Sequence, residues 1–449
     1  MPQKRGIPFL LCGGLAAFGL AVQSAHADDG ADTARQLQEL REQNKQLQEQ
    51  LQRQQTLIES LSRKVSDIQQ SDAHRSMELD KLENQIKQGE TPLKPSGGFN
   101  LGKINISGEG GVAFFKSGSS GIAPNNEFRI DEAKLFVDAQ IWGDVYFFTE
   151  INLASRESED LQLNIGELYL DWENISKLWG QDHALNLRFG RMDIPFGEEY
   201  IYRDAIDNPL ISHSLTDFWG WDEGLELYGK MNRFSYALAV QNGGVPDTRD
   251  FDSDKAVTAR IGFDPKQWLH LSVSGMHTGD LDVGGDFLSA EWFGSGFFRS
   301  IGSSDTTKFH ADAIEGDISI RVPRVLLSAF AGYVRYGDND PSRNNTRDIY
   351  YYCVEGIYDL TRKLYTGARF SHILAPNGYP VSGNGDMGEY FFNPSAMAEN
   401  LWRLSLGFGY RWNRNLVTKL EYTFERGKEL NGANRNEEDL FAIEAAFKF

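Results

Sequence analysis

The chain has 449 residues, 45 basic against 64 acidic side chains, a formal net charge of −19 and 40% hydrophobic residues. An acidic surplus of this size argues against nucleic acid as a partner, since phosphate backbones are held by basic patches. Past the N-terminus, no run approaches the roughly 18 apolar residues of a membrane-spanning helix, which leaves open a barrel, whose alternating strands average to polar hydropathy.

The first element is "MPQKRGIPFLLCGGLAAFGLAVQSAHA", with Lys4 and Arg5, an apolar run from Ile7 to Val22, and Ala25-His26-Ala27 as a cleavage site. It reads as an export signal over 1–27. Its removal takes away Lys4 and Arg5 and no acids, so −19 becomes −21. Cys12 goes with it, leaving Cys353 and no disulfide framework.

Over 34–88 the apolar period is 3.5. With Leu37 as position a, the core series runs Leu37, Leu40, Asn44, Leu47, Leu51, Gln54, Ile58, Leu61, Val65 and Ile68, and continues in frame to Ile86. Such a series predicts a left-handed coiled coil. A lone helix would have nothing to bury this seam against, so the partners expected are copies of the same chain. The trimerisation set is Leu37, Leu40, Leu47, Leu51, Ile58, Leu61, Val65 and Ile68. "GETPLKPSGG" then breaks the helix and opens a linker over 89–99.

After Phe99 the period changes to 2. In "WRLSLGFGYRW", Trp402, Leu404, Leu406, Phe408, Tyr410 and Trp412 share one face, and Arg403, Ser405 and Arg411 the other. Aromatics at both ends of an apolar face suit membrane interfaces. Short connections near Trp142-Gly143, 229–232, 264–267, Pro323, 360–362 and Asn413-Arg414, with a longer one at 173–183, alternate with eight long polar or Gly-rich loops. The pattern predicts an all-β transmembrane barrel of 16 antiparallel strands over 100–449, preceded by the α-helical coiled coil. In the last strand, "FAIEAAFKF", Phe441, Ile443, Ala445, Phe447 and Phe449 face lipid while Glu444 and Lys448 face water. The terminal Phe449 resembles the signal read by the outer-membrane barrel assembly machinery.

Two stretches, "FRIDEAKLFVDAQIWGDVYFFTEINL" and "LNLRFGRMDIPFG", with "WDEGLELYG" beyond a long loop, resemble the phosphate-selective porin O/P family over about 100–449. The core is Phe189, Gly190, Arg191, Pro195, Phe196 and Gly197. The resemblance implies a homotrimer of 16-stranded barrels, each with its own pore, lined in phosphate-taking members by arginines; Arg129 matches the arginine of the second-strand motif.

Strand parity turns Arg188, Arg260, Arg335, Arg369, Arg403 and Arg411 toward the lumen, where a fixed planar cation suits oxyanions. It also turns in Glu150, Glu167, Asp171, Glu226, Glu355, Glu421, Glu425 and Glu444. No lysine-dense loop accompanies the arginines. Loops 193–221 and 277–310 are long and aromatic enough to narrow a pore. A Gly-x-Gly-x-x-Gly match at Gly383, Gly385 and Gly388 has no strand before it or helix after it, and the histidines show neither metal-ligand spacing nor a nucleophile beside them. No enzymatic activity, cofactor or metal is expected. The reading is an outer-membrane porin for passive diffusion of small hydrophilic solutes, biased toward anions (phosphate or organic anions), with its coiled coil in the periplasm. The alternative is an anchor in outer-membrane lipid whose coil, about 75 Å long at roughly 1.5 Å per residue, contacts peptidoglycan, with a non-selective or cation-biased pore.

Overall fold

The structure is a computed structural model that describes residues 99–100, 104–121, 123–154, 163–216, 218–244, 250, 253–282, 307–339, 345–380 and 397–449. The signal over 1–27, the coiled coil with Leu37, Leu40, Leu47, Leu51, Ile58, Leu61, Val65 and Ile68, and most of loop 277–310 lie outside the described residues.

Sixteen long strands follow one another. They are β1 (Ile104–Ser117), β2 (Glu127–Trp142), β3 (Val145–Ala154), β4 (Asn164–Trp172), β5 (Asn186–Asp193), β6 (Trp221–Met231), β7 (Phe234–Gln241) and β8 (Ala256–Lys266). The second half is β9 (Leu269–His277), β10 (Lys308–Val322), β11 (Val325–Asp338), β12 (Arg347–Asp359), β13 (Leu364–Pro380), β14 (Met397–Asn413), β15 (Leu416–Glu429) and β16 (Leu440–Lys448). Three two-residue pieces pair at their edges. Each long strand is antiparallel to its chain neighbours, and β16 pairs with β1 from Leu440↔Ser117 to Lys448↔Glu109. The sheet is therefore closed, as lipid requires, since no edge is left with unpaired backbone groups. Strand count and the alternation of short turns with long loops agree with the sequence reading.

Alternation sets the two faces. Ile261, Leu406, Phe408, Leu420 and Ile443 point outward and are 42–55% exposed. Trp142, Trp172, Tyr358 and Trp412 stand outward near the short turns, and Phe128, Tyr350 and Tyr422 near the other rim. Two aromatic girdles flanking an apolar band are the signature of a membrane barrel. Among the described residues no helix is long and apolar enough to cross a membrane.

At the seam, Gly108 and Gly110 make room for the last aromatics. A Cβ on Gly108 would sit 2.6 Å from the Phe449 ring and one on Gly110 3.2 Å from the Phe447 ring. Phe449 and Gly108 also exchange backbone hydrogen bonds in both directions, at 2.9 and 3.2 Å.

The apolar core lies inside the barrel. Ile194, Phe196, Leu215 and Phe218, from the segment between β5 and β6, pack with Phe309, Phe330, Val334, Tyr336, Ile349 and Tyr351 of the wall. This packing explains one correction. Val334 and Tyr336 are fully buried on the inner face of β11, so Arg335 between them points outward and is exposed, across from Asp312. Both faces of "YVRY" carry large apolar groups, so parity alone gave a charge to the lumen that belongs at the outer rim.

Candidate functional site

The segment from Ile194 to Gly220 leaves β5, enters the lumen and returns to β6. Its neck is closed by Ile194 N–H donating to Gly220 O at 2.9 Å and by the rings of Phe196 and Phe218, 4.6 Å apart. The family-like motifs converge here. Gly190 has φ +139°, and a Cβ on it would lie 2.3 Å from Leu168 O. Arg191, next in "FGR", donates to Glu223 of "WDEG" at 2.8 Å, and Asp222 accepts from Gly243 N–H at 2.7 Å. Gly197 has φ +65°, and a Cβ there would meet Glu315 Oε1 at 2.2 Å. Only glycine allows the backbone to approach so closely at positive φ.

The wall then holds the loop by its backbone. Arg260 donates to Gly197 O at 2.8 Å and to the Tyr200 hydroxyl at 2.9 Å, while Gly197 N–H donates to Ser274 Oγ at 2.9 Å. Arg369 donates to Ser212 O at 2.5 Å and Asn208 Oδ1 at 3.0 Å, and pairs with Glu355 at 2.5 Å. Arg403 donates to His213 O at 3.1 Å and pairs with Glu425 at 2.5 Å. Glu421 accepts from the N–H groups of Ile211 and Ser212 at 2.5 and 3.0 Å, and Ser371 Oγ accepts from Leu215 N–H at 2.9 Å. Lys419 donates to the carbonyls of Ala205 and Leu210 and pairs with Glu444 at 2.7 Å. A loop inside a barrel has no ladder to satisfy its amides and carbonyls, and these side chains supply the missing partners.

The sequence-assigned residues therefore fall into groups. Arg188, Arg260, Arg369 and Arg403 face inward but are only 1–5% exposed. Arg188 is held by Asp171 at 3.0 Å and Glu226 at 3.1 Å, between the rings of Tyr169 and Tyr228. Arg129 sits at the long-loop rim beside Glu127, and Arg411 at the short-turn rim beside Asp359. Glu150, Glu226 and Glu421 face inward and are buried. Parity reading missed Lys134 and Lys419. Lys419 shares the parity of Glu421 and could have been found. Lys134 could not, because a bulge at Asp131 puts Asp131 and Glu132 out of alternation.

Beneath the loop, toward the short turns, a cavity of about 540 Å³ is bounded by Tyr202, Trp268, Phe330 and a mixed set of charges. Six carboxylates (Glu198, Asp207, Asp264, Asp317, Glu355 and Asp359) face Arg321, Arg324, Arg411 and His270. His270 bridges Asp264 and Glu198 at 2.7 Å each, which ties loop to wall.

No family model matches the chain, and no curated protein matches it. Among solved structures, it is similar to OmpT, an outer membrane protein of Vibrio cholerae, at 12% identity and a TM-score of 0.52, over 80% of this chain and 100% of that one. It is also similar to the outer membrane channel DcaP of Acinetobacter baumannii, at 14% identity and a TM-score of 0.50, again over 80% and 100%. At such identities the likeness is one of fold: this chain has the barrel fold of outer-membrane channel proteins.

Proposed function

We propose that the chain is an outer-membrane porin through which small hydrophilic solutes diffuse passively, its passage set by the segment 194–220. The observation that carries this reading is a closed barrel, apolar outside, whose lumen is crossed by a loop that the seven wall side chains named above hold by its backbone. The likeness to an outer-membrane channel supports it. On this reading the chain forms a homotrimer, its coiled coil lies in the periplasm, and Phe449 is the feature the barrel assembly machinery recognises.

The charge bias follows from which cations remain available. Four of the seven arginines assigned to an anion pathway are spent on wall carboxylates and loop carbonyls, and Arg335 faces out. The cavity beneath the loop carries six carboxylates against three arginines and His270. This supports a weak cation preference over phosphate or organic-anion selectivity. Purified protein in a planar bilayer under a salt gradient tests both levels. A zero-current potential of cationic sign is expected. An anionic sign would return the weight to Arg129 and Arg411, and a barrel that never conducts would leave the anchor reading.

A further inference from the structure

We propose that a hard divalent cation of the calcium class binds where Asp204 of the in-folded segment meets Glu109 of β1 and Glu132 of β2. One carboxylate oxygen from each residue lies within 4.8 Å of the other two. Oxygens about 2.3–2.6 Å from a shared calcium ion have that spread. The three side chains come from separate elements, and the bulge at Asp131 is what turns Glu132 inward beside Glu109.

Lys134 is already among them. Its Nζ contacts Asp204 and lies 3.9 Å from both Glu132 and Glu150. Lys134 and Arg203 stand against the four carboxylates of Glu109, Glu132, Glu150 and Asp204, so negative charge outnumbers positive in a buried place, and like charges brought together there attract a further cation. An independent observation points the same way. A cavity of about 30 Å³ abuts the cluster, lined by Glu132, Lys134, Asp204, Asn152, Trp219 and Trp221 among others. That is room for one water or one ion. Asn152 is 2% exposed and its amide oxygen has no hydrogen-bond partner; Oε1 of Glu109, 6% exposed, has none either. Carboxylates joined by a neutral amide oxygen are the donor set that hard cations take. Arg203, also on the cavity wall, lies over the Trp219 ring with its guanidinium 4.0 Å from the centroid. A bound ion would join the loop to β1 and β2 directly. The inference rests on the loop's seat and does not need the barrel to conduct.

Trp219 and Trp221 make the site readable, because terbium, a calcium stand-in, emits when a neighbouring tryptophan is excited. The full chain, purified in detergent and stripped with EDTA, is titrated with terbium and then with calcium chloride. The expected result is a saturable signal at one ion per chain, reversed by calcium, with affinity at least tenfold weaker in Glu109→Gln/Glu132→Gln. Lys134→Met should tighten binding by removing the competing ammonium. Absence of sensitised emission from a barrel that migrates as folded on a gel overturns the proposal, as does emission that the double variant keeps. Should that variant fail to assemble, Asp204→Asn, which leaves the wall intact, carries the same test.

Discussion

Gly197 shows how little room the neck of the loop leaves. Its positive φ and the Glu315 carboxylate 2.2 Å from an added Cβ oppose any side chain. A residue forced into such a conformation costs about 1–3 kcal/mol, and the change also disturbs the carbonyl held by Arg260. Gly197→Ala should therefore loosen the loop in an otherwise folded barrel, seen as noisier and larger single-channel conductance. At the seam, Phe449→Ala would uncover Gly108 and lower the yield of heat-resistant barrel on gels; unchanged yield would show that the ring's contact is dispensable. Gly197 was legible in the sequence as a motif letter, but its reason was not, and Gly108 was not singled out at all. The inward direction of Arg188, Arg260, Arg369 and Arg403 was legible from parity, whereas their burial was not, because alternation says which face a side chain takes and nothing of what meets it there.

The segment 194–220 is the element on which the functional reading turns. Arg369 and Arg403 each join a wall glutamate to a loop carbonyl, so Arg369→Ala with Arg403→Ala strands Glu355 and Glu425 as well as the loop. Removing one partner of a buried pair costs about 3–5 kcal/mol. The double variant is expected to unfold at lower temperature on heated gels, and the molecules still folded should conduct more. Equal conductance would mean that the loop is held by its apolar contacts with Phe309, Phe330 and Tyr351 instead. The length and aromatic content of this loop marked it as a constriction candidate. Its partners were hidden, since they come from strands on the far side of the barrel and from a bulge that parity cannot see.

For the whole molecule, the strand count and the turn sides were legible because each strand repeats one signal and sixteen weak signals reinforce one another. Selectivity was not, since it depends on the balance between charges that pair and charges that stay open. The coiled coil proposed for 34–88 is a separate matter of assembly: on that proposal Leu51→Asp with Leu61→Asp should weaken oligomers on native gels, and oligomers left intact would mean that the barrels alone suffice.

The loop's partners also impose an order on assembly. Ser212 meets Ser405 and Glu421, 193 and 209 positions further along the chain, and His213 meets Arg403, 190 positions further. Contacts so distant in sequence form late, since the intervening chain must be arranged first. When the segment emerges most of its seat does not yet exist, and once β16 pairs with β1 it is enclosed. Protection of 194–220 from protease would then mark a completed barrel, and chains stopped before β14 should be cut there even when their earlier strands are in place.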